Sequence, residues 1–379
     1  MKDLPDVIRT LQELVSIDSV NPAFGGPGEA GMVDFVEGFF EGEGIEVIRD
    51  PVFPGRDNLV VRIPGRGQER PLLLEAHVDT VSAEGMEIEP VASEVREGRL
   101  YGRGACDVKG GLAAMMHAVV ELARAGGGQR DVFFAAVVDE EDAFRGAIGL
   151  IRWLEKGGIR PAGAIVAEPT SLRIVSANKG VLRFRIVASG SAAHSSRPEL
   201  GDNAIMKMSQ VLQRLESWQE SLADDVHPLV GPATSCVTTI EGGRQVNIVP
   251  ESCEIRIDHR LLPGHHANDI WERYAELCVD LDGVEILEPD LADEAMETRT
   301  DAIVVEVAEE VQSSLGLAPV PVGVPFGCDA TKFSRAGIPS LIYGPGSIEQ
   351  AHASIEFVAL EEVEKAVAFY RDFLLKYPR

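Results

Sequence analysis

Acidic and imidazole side chains follow short apolar runs at several places in this 379-residue chain. The first run begins at Leu72 and leads to His77 and Asp79, which stand two residues apart. If the run is a strand, both side chains point to the same side. A metal-binding imidazole needs a partner for its second nitrogen, and a nearby carboxylate fixes its tautomer. The alternative is a buried histidine beside a solvated aspartate.

Asp107 lies inside a glycine-rich turn, Gly102–Gly111, that precedes a helix-like stretch from Leu112 to Arg124. Glycines permit unusual backbone angles and a close approach, which suits a carboxylate held rigidly between a strand and a helix. A phosphate-binding loop is excluded, because the chain has neither the Gly-x-Gly-x-x-Gly nor the Gly-Lys-Ser/Thr pattern at this turn.

Three further candidate groups lie downstream. The apolar run Phe133–Val138 ends in four consecutive acids at 139–142, and the run Ala164–Ala167 leads to Glu168. His352 follows a Gly-Pro-Gly turn much later in the chain. Acid runs are usually solvated loops, but like charges at the end of a buried strand cost free energy unless a cation balances them.

In this order the motifs resemble a known family, the zinc-dependent amidohydrolases and exopeptidases that include acetylornithine deacetylase, succinyl-diaminopimelate desuccinylase, aminoacylase and carboxypeptidase G. The resemblance runs from the N-terminal helix to the last one. Five ordered segments carry it: Glu75–Val81, Gly102–Gly111, Asp139–Glu141, Glu168–Thr170 and Gly344–His352.

The resemblance implies a site for two divalent metal ions. It makes His77 and Glu168 ligands of one ion. Glu141 and His352 would bind the other ion, and Asp107 would bridge the pair. Three carboxylates and two imidazoles suit Zn²⁺ and leave positions open for water, and Co²⁺ or Mn²⁺ would satisfy the same donors.

Other residues near these ligands receive roles from the resemblance. Asp79 would orient His77 without touching metal, and Glu140 would be the general base that takes a proton from water and delivers it to the leaving amine. Glutamate at position 168 is one of two family variants and is usually read as favouring deacylation. Ile355 stands where relatives commonly carry a small acidic or amide residue, and we expect this to affect hydrogen bonding rather than ligation.

The pattern of strand-like and helical runs changes twice along the chain, which predicts two domains, one inserted in the other. Residues 1–178 and 293–379 alternate strand-like and helical runs and predict an α/β, zinc-exopeptidase-like open sheet as the catalytic domain. Residues 179–292 predict a ferredoxin-like β-α-β-β-α-β lid or dimerisation domain. Its predicted elements are strands at Val181–Ser189, Ser235–Ile240, Cys253–Leu262 and Val284–Leu287 and helices at Asp202–Gln219 and Ala267–Asp280.

The inserted segment holds three further candidates that the resemblance singles out. His194 lies in a small-residue turn, and in relatives such a histidine donates to the oxyanion in a neighbouring subunit's site, which would make the protein at least a homodimer. Asn247 would contact substrate, and Arg260 would hold the substrate carboxylate in its guanidinium fork. The structural alternatives are a turn histidine, a hairpin residue and a surface charge pair.

Composition and charge bound the remaining classes. A net charge of −26 argues against a nucleic-acid partner, whose phosphates would be repelled. Hydrophobic residues make up 45% of the chain, yet no window approaches the roughly 20 apolar residues of a membrane span. Met1–Pro5 lacks the charged-then-apolar form of a signal peptide. The five cysteines are odd in number and unpaired by spacing, so we expect reduced thiols and a cytoplasmic protein.

The function expected from these features is hydrolysis of the amide bond of a small-molecule N-acyl amino acid. N-acetyl-ornithine, a substrate of arginine synthesis, comes first, because Gly344–His352 looks most like acetylornithine deacetylase. N-succinyl-diaminopimelate comes second, followed by the substrates of a broad aminoacylase or a metallo-carboxypeptidase. A catalytically dead dimer that binds an amino acid or peptide is the non-enzyme alternative, and the intact ligand set and Glu140 argue against it.

Overall fold

The structure is a computed structural model and describes residues 5–377. The prediction about a signal peptide therefore lies, but for Pro5, outside the described residues. The helices are α1 (Asp6–Ser16), α2 (Ala30–Gly42), α3 (Gly110–Arg124), α4 (Glu140–Ala143), α5 (Arg145–Lys156), α6 (Ala204–Ser221), α7 (Ala267–Cys278), α8 (Ile303–Ser314), α9 (Ala330–Arg335) and α10 (Leu360–Lys376).

The strands are also numbered in chain order. They are β1 (Val47–Phe53), β2 (Arg56–Ile63), β3 (Leu72–His77), β4 (Glu94–Arg96), β5 (Arg99–Tyr101), β6 (Val132–Val137), β7 (Gly163–Val166), β8 (Val175–Asn178), β9 (Gly180–Ser189), β10 (Val226–His227), β11 (Gly231–Pro232), β12 (Thr234–Gly242), β13 (Ser252–Leu261), β14 (Val284–Ile286), β15 (Leu291–Asp293), β16 (Met296–Glu297), β17 (Val322–Val324), β18 (Ser340–Ile342) and β19 (Phe357–Ala359).

The chain divides into two compact units. Unit 1 includes the described residues up to Ser176, Thr298–Val322 and the described residues from Cys328 onward. Unit 2 is formed by Ala177–Glu297 and Gly323–Gly327. The predicted domain limits at 178/179 and 292/293 stay a prediction, and the change of unit within β8 lies close to the first of them.

Unit 1 is built on a mixed sheet whose central strands run in the order β1-β2-β6-β3-β7-β18. Strands β6, β3, β7 and β18 are parallel to one another, whereas β2 is antiparallel to both β6 and β1. Parallel strands that are buried on both faces read as continuous apolar runs, as β3 and β6 do. Their carboxyl ends meet at one edge of the sheet, and the chain leaves that edge in loops.

Helices cover both faces of this sheet. On β6, Phe134 contacts Phe40 of α2, while its neighbour Phe133 contacts Trp153 of α5. Alternate residues of a strand point to opposite faces, so α2 and α5 lie on different sides of the sheet. Helices α1, α3, α8 and α10 add their apolar faces to the same core as α2. Helix α1 is amphipathic, and its buried side is formed by Val7, Ile8, Leu11, Leu14 and Val15.

Unit 2 contains an antiparallel sheet in the order β12-β13-β9-β14, with α6 and α7 packed against it. The chain order β9-α6-β12-β13-α7-β14 is the predicted β-α-β-β-α-β arrangement, and each predicted element is present to within two residues at either end. The fold class is therefore confirmed. The hairpin of β10 and β11 and the strand β15, which also pairs with β9, were not predicted. No helix among residues 5–377 is both long and apolar enough to cross a membrane.

Candidate metal centre

The carboxyl edge of the parallel strands positions most of the predicted site residues. His77 is the last residue of β3, Glu140 and Glu141 begin α4 just after β6, and Glu168 follows β7 by two residues. The parallel register of β3 with both β6 and β7 places these three strand ends side by side. The structure therefore brings together residues from three separate apolar runs.

Asp107 reaches this edge from the glycine-rich segment between β5 and α3. The Asp107–Val108 peptide bond is cis. The buried Glu356 carboxylate fixes this segment, because it accepts hydrogen bonds from the backbone N–H groups of Cys106 (3.0 Å) and Asp107 (3.1 Å). Arg103 balances that carboxylate with an ion pair of 2.7 Å. Glu356 thus holds the backbone of Asp107 in place. The preceding residue, Ile355, is exposed.

Two groups of possible metal ligands share Asp107. The first is His77, Asp107 and Glu168, and the second is Asp107, Glu141 and His352; within each group the donor atoms lie within 4.8 Å of one another. Asp107 Oδ1 is 3.2 Å from His77 Nε2, and Asp107 Oδ2 is 3.2 Å from His352 Nε2. His352 Nε2 is also 3.3 Å from Glu141 Oε1. These are the two ligand sets and the shared residue that the resemblance implied.

Glu140 lies beside both sets without belonging to either. The Glu140 carboxylate forms a third group of possible metal ligands with the Glu141 carboxylate and the His77 imidazole. Glu140 is buried, and burial raises the pKa of its carboxyl well above the usual value, with the charge of His77 opposing the rise. A buried carboxylate next to a possible water position is suited to accept and return a proton.

Burial and crowding govern the electrostatics of the centre. Burial, followed by the charge of Asp107, raises the pKa values of Glu141 and Glu168. For Asp107, burial alone would raise the pKa, but the hydrogen bonds with His352 and His77 outweigh it and the pKa is lowered. Hydrogen bonds from the His352 imidazole to the carboxylates of Asp107 and Glu141 raise the pKa of His352 to about 10. A bound cation would offset the repulsion among these closely spaced carboxylates.

The donor chemistry of these residues fits divalent metal ions. Two imidazole nitrogens and three carboxylates supply nitrogen and oxygen ligands, and the shared Asp107 has one oxygen toward each imidazole. Zn²⁺ takes such mixed donors readily. His352 is half exposed, so the second group opens to solvent while the first is buried.

Asp79 differs in one respect from what the sequence predicts. Strand β3 ends at His77, so strand alternation does not place the Asp79 side chain. His77 Nδ1 lies 3.0 Å from the backbone oxygen of Asp79 and 3.6 Å from its carboxylate. The carboxylate also accepts hydrogen bonds from the backbone N–H groups of Glu140 and Glu141, both at 3.1 Å. Asp79 therefore connects the loop of His77 to the loop of the two glutamates.

Sequence reasoning missed several buried residues around the centre. Asn21 donates to Asp79, and Arg56 pairs with both Glu29 and Asp139. The only sequence signal for Asn21 is its position before Pro22, where it caps a short turn. Glu75 and Asp329 form a buried carboxyl pair, and burial together with their mutual charge raises the pKa of Glu75.

The three candidates of unit 2 lie in two places within that unit. His194 is exposed, and its turn is bridged to the loop between β12 and β13, since Ser195 N donates to the backbone oxygen of Asn247 at 3.0 Å. His194 and Asn247 are therefore neighbours. Arg260 lies near the other end of β13, where its Nε donates to Asp258 Oδ1 at 2.8 Å.

Comparisons with known proteins find one matching family and several similar chains. The model of a family described as peptidase family M20/M25/M40 matches residues 73–376. An acetylornithine deacetylase of Myxococcus xanthus is 30% identical, with 96% of each chain covered. A succinyl-diaminopimelate desuccinylase of Rhodospirillum centenum is 29% identical, over 98% of this chain and 97% of that protein. The crystal structure of an M20 family metallo-carboxypeptidase, Sso-CP2 from Sulfolobus solfataricus, shares the fold with a TM-score of 0.82 at 21% identity, over 99% of this chain and 100% of that one.

Proposed function

Because the chain belongs to peptidase family M20/M25/M40 and is a metal-dependent amidohydrolase, we propose that it hydrolyses the amide bond of an N-acyl amino acid, N-acetyl-ornithine first, with two metal ions. The observation that carries the proposal is the pair of ligand groups that share Asp107. A second substrate, N-succinyl-diaminopimelate, is favoured by the comparable identity to a desuccinylase.

The proposed ligands divide as the two groups do. His77 and Glu168 would hold one ion, Glu141 and His352 would hold the other, and Asp107 would contribute to both. Zn²⁺, or Co²⁺ or Mn²⁺ in its place, supplies a lowered water pKa and polarisation of the amide carbonyl when bound. The backbone N–H groups of Cys106 and Asp107 donate to Glu356, and these bonds hold the Asp107 carboxylate in position for both ligand groups.

Glu140 is the proposed general base. Its position between the groups lets one of its carboxylate oxygens take a proton from the attacking water and pass it to the leaving nitrogen. The two hydrogen bonds to Asp79 fix the backbone from which Glu140 and Glu141 project. Neighbouring residues in one short helix thus serve different roles, one as a base and one as a ligand.

The substrate assignment is tested by amine release from N-acetyl-L-ornithine and N-succinyl-LL-diaminopimelate with zinc- or cobalt-loaded protein. We expect the acetyl substrate to be hydrolysed at least about ten times faster, a difference of about 1.4 kcal/mol in transition-state stabilisation. Glu140→Gln protein prepared in the same way controls for contaminating hydrolases. Preference for the succinyl substrate would contradict the substrate assignment, and turnover only of other acyl amino acids or of peptides would replace it with an aminoacylase or a carboxypeptidase.

We further propose that the protein is a homodimer through unit 2. Strand β12 is the outer strand of that sheet, and its neighbourhood exposes apolar side chains. Ile205, Val246 and Ile248 are exposed and line one surface groove together with Ser195, which follows His194. Unpaired strand edges and exposed apolar groups are features of association surfaces. His194 would then donate to the oxyanion in the partner's site.

Mixing two inactive variants tests this role of His194. Glu140→Gln and His194→Ala homodimers should each lose at least about 10² in turnover, since each lacks one part of the machinery. After subunit exchange, a hybrid dimer has one site with an intact Glu140 and a partner's His194, so an equal mixture should regain roughly a quarter of wild-type activity. Exchange verified by differently tagged subunits, without recovery of activity, would contradict a role in trans.

Two further assignments are proposals of the same kind. Asn247 contacts the substrate from the loop beside His194, and Arg260 holds the substrate carboxylate while Asp258 fixes its Nε. A cytoplasmic location is proposed because all five cysteines are free thiols, as expected in a reducing compartment.

A further inference from the structure

We propose that Asn21 is a positioning residue of the metal centre. Its side-chain amide holds the two carboxylates of Asp79 and Asp139 together, and this sets where Glu140 and Glu141 stand relative to His77. The roles of Glu140 and Glu141 are those given under the proposed function, on which this inference rests.

The Asn21 amide is buried and fully used. Its Nδ2 donates to Asp79 Oδ2 at 2.8 Å and to Asp139 Oδ1 at 3.2 Å, and its Oδ1 accepts from Ala23 N at 3.0 Å. The backbone N–H of Asn21 donates to the oxygen of Thr80 at 2.9 Å, which ties the residue to the loop that follows β3. Two like charges therefore share one nitrogen donor inside the protein, where unpaired charge is costly.

The Asp79 carboxylate connects Asn21 to the backbone of both Glu140 and Glu141. Asp79 Oδ1 accepts from Glu140 N, and Asp79 Oδ2, the oxygen that Asn21 contacts, accepts from Glu141 N. A shift of Asp79 would move the backbone of the base and of a ligand together. His77 is attached to the same loop through the contact of its Nδ1 with the Asp79 backbone.

The second carboxylate belongs to a residue in an uncommon conformation. Asp139 has φ 67° and ψ 31°, a left-handed conformation that non-glycine residues adopt only when their surroundings impose it. Glu29 Oε1 accepts the Asp139 N–H at 3.2 Å, and Arg56 Nη2 donates to Asp139 Oδ1 at 2.8 Å. Arg56 in turn donates to Glu29 Oε2 at 2.8 Å. This turn directs the next two N–H groups toward Asp79.

Asn21 therefore joins two assemblies that come from different strand ends. One is the loop of His77 and Asp79 after β3, and the other is the turn of Asp139 after β6. Without its two donors, the Asp79 and Asp139 carboxylates would lose the hydrogen bonds that join them, while Asp139 would keep its ion pairs with Arg56 and Arg145. The two strand ends could then shift relative to each other. Misplacement of reacting groups by about 1 Å can reduce turnover about 10²-fold.

The test compares two substitutions at Asn21 with a matched control. Asn21→Asp has the same shape and keeps the bond from Ala23 N, but it replaces the donor with a third acceptor facing Asp79 and Asp139. Asn21→Ala removes the amide altogether. Gln312→Ala is the control, because Gln312 is also a fully buried amide of unit 1 that bonds to Leu172 and Tyr343.

We expect both Asn21 variants to lose about 10²-fold in kcat with KM within about threefold, and to bind Zn²⁺ about tenfold more weakly in competition with a chelator. Gln312→Ala should lower the melting temperature to a similar extent but keep kcat and Zn²⁺ affinity near wild type. Folding of each variant is verified by circular dichroism, and Asn21→Ala serves if Asn21→Asp does not fold.

Unchanged kcat and unchanged Zn²⁺ affinity in a folded Asn21 variant would overturn the proposal, as would losses equal to those of Gln312→Ala. The chelator competition needs no substrate. If the wild-type protein hydrolysed no N-acyl amino acid, the proposed function would fail, whereas weaker Zn²⁺ binding by the Asn21 variants would still support their positioning role.

Discussion

Glu140→Gln should lower kcat for the preferred substrate by about 10³-fold while the protein keeps two bound metal ions per chain. Glutamine preserves the size of the side chain and its place in α4 but accepts no proton at neutral pH, so both proton transfers lose their carrier. Because Glu140 lies outside the two ligand groups that share Asp107, ligation should persist. Steady-state kinetics and metal analysis of the same sample provide the measurement.

Asp142→Asn is the control for this prediction. Asp142 belongs to the same run of acids, but it pairs with Arg145 at 2.9 Å and is partly exposed, so its substitution should leave kcat within about threefold of wild type. A Glu140→Gln enzyme that retained a tenth or more of wild-type turnover would show that another group carries the proton. Loss of metal in that variant would show instead that Glu140 is a ligand.

Asp107→Asn should reduce the metal content to one ion per chain or fewer and lower kcat by more than about 10³-fold. Each oxygen of the Asp107 carboxylate lies 3.2 Å from a different imidazole nitrogen, that of His77 or that of His352. Asparagine offers only one oxygen and turns an NH₂ group toward the other side, and it removes the charge that holds two cations near each other. Metal analysis after dialysis and kinetics with added Zn²⁺ measure both losses.

Asp131→Asn controls for the loss of a bonded carboxylate elsewhere in unit 1. Asp131 accepts from Gly65 N at 2.8 Å and pairs with Arg62 at 2.7 Å, so its substitution should affect stability and not metal content. Retention of two tightly bound ions by Asp107→Asn would contradict the shared-ligand arrangement.

The sequence predicts where three of the proposed ligands lie, because their positions follow from strand geometry. His77, Glu141 and Glu168 each stand at or just after the end of a buried apolar run, and parallel strands must bring such ends to one edge. Asp107 and His352 lie in loops whose placement depends on contacts with distant residues. Resemblance to a family, and not periodicity, identified them.

The residues that hold the ligands could not be predicted in the same way. Asn21 contacts carboxylates that lie 58 and 118 positions away, and Arg56 contacts Asp139 across 83 positions. No local pattern encodes such pairings, because they arise only when separate loops meet. The Asp79 carboxylate illustrates the same limit, since it accepts hydrogen bonds from the N–H groups of Glu140 and Glu141 in addition to lying 3.6 Å from the His77 imidazole.

Short strands of unit 2 were missed for a related reason. β10 and β11 have two residues each, too few for alternation to be visible in the sequence. The longer strand β13 alternates buried and more exposed residues over all ten positions, and β9 does so from Leu182 onward, which is why their limits were predicted closely.

Anomalous diffraction at the zinc absorption edge, from crystals of the zinc-loaded wild-type protein, tests the central claim most directly. We expect two peaks per chain, one next to His77 and Glu168 and the other next to Glu141 and His352, with Asp107 in contact with both. A single peak, or two peaks of which only one touches Asp107, would contradict the proposed two-metal centre.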